Sequence, residues 1–302
     1  MPDTEFDWYS ISQRNARSVQ TLIGWIFWDP ETIRRLEPEG LPGMLAYVAG
    51  RAAPLAPAGE DAVIAAFYTI NPDVIRYAIR AMNENSSAER VWQIRNEAAV
   101  DGLREFVPEA TEALASMTPW LWDAVDACPL PGRPFFGACR SLPRPEEPLL
   151  SMWQAVNCLR EWRGDTHFAI LTSEDVGPVA AGILHNAWVG YEKDWLPVSR
   201  GNTPDEIEHA YASLEARGLA KDGEVTEAGV ALRQDIEDRT DRLTTLPWEA
   251  IGAELSDEFA RIAEPACEAL LTRVDVTAGP NFQPASRIHD RLAGRTAPPI
   301  TQ

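Results

Sequence analysis

The sequence contains no apolar run approaching the roughly 20 residues that a membrane-spanning helix needs, so no transmembrane segment is predicted. Its first ten residues, MPDTEFDWYS, are acidic and lack the basic-then-apolar order of a secretory signal, which places the chain by expectation in the cytoplasm. The four cysteines, Cys128, Cys139, Cys158 and Cys267, form no CxxC pair and read as reduced thiols packed as small apolar side chains. No two histidines stand at HxxxH or HExxH spacing, and no metal site is predicted. A P-loop, a GxGxxG turn and a GxSxG elbow are all missing, so the sequence leaves any cofactor unknown. Positive charge is also scarce, with 27 lysines and arginines against 46 acids and a net charge of −19 over 302 residues. Nucleic-acid binding rests largely on neutralising phosphates, so a DNA-binding role would require those few bases to gather on one face.

What is present reads as helix. Apolar residues recur at three- and four-residue spacing at Leu22, Ile23, Ile26 and Phe27, through Val63–Phe67, and from Val91 to Leu103. Breakers such as AAPLAPAG, CPLPGRP and LPRPEEP separate these segments. No period-two alternation is visible in the first 195 residues. The fold class is therefore all-α, with a helical body over 1–198 built from about seven to nine helices of ordinary length. Eleven tryptophans are many for this length. Trp25 and Trp28, three apart on one predicted helix face, are either core rings or, with Phe67, walls of an aromatic-lined pocket.

After residue 198 the pattern changes. Thr203-Pro204-Asp205-Glu206 combines a capping box with proline at the first helical position. The helix it opens stops at Gly218, and LAKDGEVTEAG then gives two short strands about an Asp222-Gly223 turn. Thr226 caps a further helix that ends before Pro247. Helix, two-stranded wing and helix predict a winged-helix module over 199–248. One amphipathic helix is predicted over 249–276, and 277–302 reads as a flexible tail rich in proline, glycine and small polar residues.

The charge of the module argues against a DNA reader. Its candidate recognition helix carries Asp205, Glu206, Glu208 and Glu215 against Arg217 alone. Over 200–247, six bases face eleven acids, a balance of −5. A winged helix of this sign is expected to pack or dimerise, so nucleic acid is an unexpected partner and a homodimer an open one.

The densest polar stretch in the helical pattern is LREWRGDTHFAIL, residues 159–171. A break at Gly164 would make Asp165 the N-cap of a new helix. An unbroken helix would instead put Arg160, Arg163 and His167 at i, i+3 and i+7 on one stripe. In either arrangement the arginines can grip a carboxylate or phosphate, and His167 beside Asp165 or Glu161 can serve as a general base. The competing interpretation is a structural ion-pair network between helices.

GRAAPLAPAGEDAVIAAFYTINPDVI, LREWRGDTHFAIL and LEARGLAKDGEVTEAGVALRQDIEDRTDRLTTLPW together resemble the SalK/EvbL-like helix-turn-helix family, a large actinobacterial group with members near antibiotic biosynthesis genes. The resemblance covers roughly residues 40–250 and implies an all-helical body with a winged helix. Two positions depart from the family pattern: Ile23 stands where a histidine is usual, and Thr166 replaces the glycine of RGDGH.

Taken together, these readings predict a small-molecule binding protein for an aromatic or anionic metabolite, with an enzyme of specialised metabolism as the extended form of the same expectation. Arg160 and Arg163 would hold the anion, Trp25, Trp28 and Phe67 would line the walls, and His167 with Asp165 would supply any catalysis. The rival is a winged-helix transcriptional regulator.

Overall fold

The computed structural model describes residues 6–287. Among these the chain is all-α apart from one two-stranded hairpin. Twelve α-helices precede residue 202, more than the seven to nine expected, because prolines start new helices instead of only ending old ones. Pro30, Pro72, Pro108, Pro134, Pro148 and Pro178 each occupy the first position of a helix, where the missing N–H costs nothing and the fixed φ is already helical.

The axis of the molecule is the helix Pro148–Ser173. Glu147 caps it, its carboxylate accepting the amides of Leu149 at 3.3 Å and Leu150 at 2.6 Å. The helix runs through Gly164 without interruption, which decides between the two readings of LREWRGDTHFAIL in favour of the single stripe. A helical glycine costs about 1 kcal/mol relative to alanine, too little to break a helix buried on nearly every side. Around it pack the first helix, Trp8–Gly24, the short helices Thr118–Ala127 and Pro134–Arg140, and Glu227–Leu243 from the C-terminal half.

Two apolar cores share this axis. The larger takes Leu149, Met152, Trp153, Val156, Leu159 and Trp162 from the helix and surrounds them with the first 140 residues and with Ala253–Thr277. A second core begins at Ile170 and Leu171 and joins Ala180–Leu184 to Ile207, Leu214, Ala220 and Ile236. The polar run from Arg160 to His167 lies where one core gives way to the other.

The C-terminal elements form as their local signals direct. The capping box at Thr203 is made, with Thr203 N donating to Glu206 Oε2 at 2.7 Å and Glu206 N to Thr203 Oγ1 at 3.3 Å. The helix Pro204–Ala216 follows, then strands Ala220–Lys221 and Glu224–Val225 paired antiparallel. Asp222 at φ +52° and Gly223 at φ +73° give the two left-handed residues that a tight two-residue hairpin requires. Thr226 caps Glu227–Leu243. The single helix expected over 249–276 is instead two, Leu246–Ile251 and Ala253–Thr277, parted at Gly252 with φ +85°. The first eleven residues of the expected tail, 277–287, are described: Thr277 ends the last helix, and the chain then folds back so that Phe282 and Gln283 meet Trp28 and Gln283 donates to Gln20 O on the first helix. The rest of that tail, 288–302, with His289, lies outside the described residues.

Candidate ligand-binding cavity

A cavity of about 190 Å³ opens at the polar belt between the two cores. Arg160, Arg163 and His167 enter it from the axial helix, as the unbroken i, i+3, i+7 stripe requires. Tyr47 and Arg51 come from Met44–Ala52, and His185 and Trp188 from Pro178–Val189. Arg233 and Glu237, one turn apart, come from Glu227–Leu243, and Arg200 from the turn before the capped helix. Trp28, Trp195 and Phe282 supply apolar wall.

The arginines are held in two networks. Arg51 makes a bidentate pair with Glu161, at 3.1 and 2.8 Å, while its guanidinium stacks over Phe67 at 4.5 Å and Phe135 at 4.7 Å. Arg160 joins the same carboxylate and also donates to Gln20 Oε1 at 3.0 Å. Burial alone would raise the Glu161 carboxyl, but Arg51 and Arg160 outweigh it and hold it at about 2. In the second network Arg163 bridges Glu237 and Asp241, the latter at 2.8 Å, and donates to Thr244 Oγ1 at 3.0 Å. Arg233 pairs with the other oxygen of Glu237 at 2.7 Å and lies over Trp188 at 4.5 Å. Burial opposes ionisation of Glu237, yet Arg233 and Arg163 keep it well below the ordinary carboxylate range.

His167 is fixed in one tautomer. The Thr240 hydroxyl donates its only proton to Ile236 O at 2.7 Å, so at 3.0 Å from His167 Nδ1 it must accept. Nδ1 therefore carries the proton and Nε2 the lone pair. Burial, reinforced by Arg233, pushes the ring down to about 3, so it is neutral at pH 7. His185 is likewise neutral, driven well below its usual value by burial, and its Nε2 has no hydrogen-bond partner among the described residues. The site thus offers guanidinium donors and a neutral imidazole acceptor between aromatic walls.

A depressed histidine makes stability pH-dependent in a definite direction. The unfolded chain takes up a proton at His167 below about 6.5, whereas the folded chain does so only near 3, so this stability is present above 6.5 and lost as pH falls towards 3. Denaturant titrations of the parent and His167→Gln at pH 7 and pH 4.5 are expected to show the parent losing more on acidification. Equal losses would contradict the buried, neutral ring.

The structure separates the residues chosen from the sequence. Arg160, Arg163, His167 and Trp28 line the cavity. Phe67 lies behind it, under Arg51. Trp25, expected on a common face with Trp28, packs instead into the core edge-on to Phe106 at 5.8 Å, tight against Gly102, where a Cβ would come within 2.2 Å of its ring. Asp165, two residues from His167, leaves the helix on another side. Its carboxylate accepts the amides of Phe135 at 3.0 Å and Phe136 at 2.9 Å, capping the helix Pro134–Arg140. Burial raises this carboxyl to about 7 against those amides, which lower it. The two family departures are also off the cavity: Ile23 is buried in the larger core, and Thr166 donates to Trp162 O at 2.9 Å while accepting from Arg133.

Sequence reasoning missed Arg51, Arg200, Arg233 and Glu237. The four-residue spacing of Arg233 and Glu237 was a usable signal, and Arg51 stands inside the quoted GRAAPLAPAG segment. All four cysteines are buried and free. No cluster of three or more metal-ligating side chains occurs among the described residues, and no helix there is long and apolar enough to cross a membrane.

No curated protein and no solved structure matches the chain significantly. A family model described as a helix-turn-helix family, HTH_67, does match, over residues 12–277, which takes in the axial helix, the capped helix with its hairpin and every cavity element up to Thr277. The chain belongs to this helix-turn-helix family.

Proposed function

We propose that this protein binds a small organic anion with an aromatic or similarly flat part in the cavity between its two cores. The observation that carries this reading is the convergence of five arginines on one aromatic-walled cavity in a chain whose net charge is −19. Arginine presents a planar fork suited to carboxylate or phosphate, and stacking on Phe67, Phe135 and Trp188 holds Arg51 and Arg233 in place before a ligand arrives. A catalytic role rests on His167 alone, whose Nε2 can accept a proton. The three motifs quoted above support the SalK/EvbL-like assignment and, with it, specialised metabolism as the setting.

In this reading the capped helix, hairpin and following helix are a winged helix that walls the cavity instead of reading DNA. Of the six bases in 200–247, Arg200 and Arg233 point into the cavity and Arg239 is paired with Glu174. Arg217, on the candidate recognition helix, donates to the carbonyls of Asp175 at 2.8 Å and Glu174 at 3.0 Å. The exposed face keeps Asp205, Glu206, Glu208 and Glu215, a surface that repels phosphate.

Gel-shift titration against DNA from upstream of its own gene, at low and moderate salt, tests this choice together with native mass spectrometry of the purified chain. The expected result is no retardation and a co-purifying or added small anion retained on the protein. Specific, salt-sensitive retardation would overturn it in favour of a transcriptional regulator.

A further inference from the structure

The charge balance of the cavity names the class of ligand, an inference that rests on the binding function proposed above. A buried charge is costly unless it is paired. Arg51 and Arg160 share Glu161, which leaves one positive charge uncompensated. Arg163 and Arg233 are matched by Glu237 and Asp241. Arg200 is half-buried, and its guanidinium has no hydrogen-bond or ion-pair partner among the described residues. Burial disfavours its charge, the Tyr47 side chain favours it, and the neighbouring arginines Arg51 and Arg233 share its sign and oppose it. Both histidines are neutral and offset nothing. Two positive charges are therefore left over at the cavity wall, and they converge, since Arg51, Arg160 and Arg200 all line it. Arg95, a further buried guanidinium acting on Glu161, stands outside that lining, held by Asn157 and by the rings of Trp92 and Trp153. Arg233 Nη1 and His185 Nε2, buried without partners, add two polar atoms aimed at no protein group.

We infer that the cavity binds a compact dianion, a phosphomonoester or a dicarboxylate, carried on a single aromatic ring or a group of that size. A monoanion would leave one arginine charge uncompensated, and an uncharged ligand would leave both. The size limit follows from the volume: a cavity of about 150 Å³ accommodates benzene, and this one, at about 190 Å³, has room for a ring and one small head group. Trp28, Trp188 and Phe168 would flank the ring, and Arg200 with Arg51 would take the head group through paired N–H donors.

Isothermal titration of the full chain at pH 8 with two matched pairs tests this: phenyl phosphate against phenyl sulfate, and phthalate against benzoate. Each pair keeps the ring and differs by one charge. The dianions are expected to bind at least tenfold tighter than their monoanionic partners, and the tighter of phenyl phosphate and phthalate identifies the head group. In Arg200→Gln that advantage is expected to fall to threefold or less, with Arg200→Lys restoring most of it and far-UV circular dichroism showing both variants folded. Equal affinity within each pair, or an advantage untouched in Arg200→Gln, would overturn the dianion inference while leaving the cavity a binding site. No binding of any of the four at 10 mM would overturn the proposed function itself.

Discussion

Glu161→Ala is expected to cost about 3–5 kcal/mol of folding stability, the usual loss when one partner of a buried charge network is removed. Glu161 is 1% exposed and, among the described residues, is the only carboxylate paired with Arg51 and Arg160. Without it two guanidiniums face each other across a space that water fills poorly. Glu161→Gln should lose less, because the amide oxygen can still accept one of those hydrogen bonds. Guanidinium denaturation with a two-state fit measures both. A loss under about 1 kcal/mol for Glu161→Ala would mean that the network is hydrated and weak, as exposed ion pairs are.

The second large effect concerns the attachment of the C-terminal segment. Arg163 stands on the axial helix, whereas Glu237 and Asp241 stand on Glu227–Leu243, so these ion pairs tie the two helices together. Arg163→Ala strands Asp241, which burial already raises to about 6 despite Arg163, and should cost about 3 kcal/mol or more. A double-mutant cycle between Arg163→Ala and Glu237→Ala isolates the contact itself. Its coupling energy is expected at about 1–3 kcal/mol, the range for residues sharing one network. Additive losses would show that the two helices are held by the apolar core around Ile236 and Leu171 and not by charge.

These expectations rest on an arrangement only partly legible in the sequence. Features set within a few residues could be read directly: the Thr203 capping box, the Asp222-Gly223 turn and the Thr226 cap each depend on local hydrogen bonds or local dihedrals. The polar stretch around Arg163 was visible as an interruption of the apolar pattern. Its continuity was not, since a lone glycine is compatible with a break or with a helix that burial keeps intact. Asp165 shows the same limit. Its carboxylate does cap a helix, but one about 30 residues earlier in the chain, and no local pattern distinguishes that from capping its own. The cavity was least legible because its cations come from far-apart segments: Arg51, Arg160, Arg200 and Arg233 meet only through tertiary packing. Trp25 and Trp28 illustrate the converse, equal spacing with opposite fates, one in the core and one at the cavity wall.

Hydrogen–deuterium exchange of the full chain, with and without saturating phenyl phosphate, tests the central claim most directly. The account predicts slower exchange in two segments at once, residues 160–168 on the axial helix and 185–200 across the cavity, because the ligand would be held between Phe168 on one side and Trp188 and Arg200 on the other. Protection confined to the exposed face of Pro204–Ala216, or no protection at a concentration that saturates binding, would contradict it.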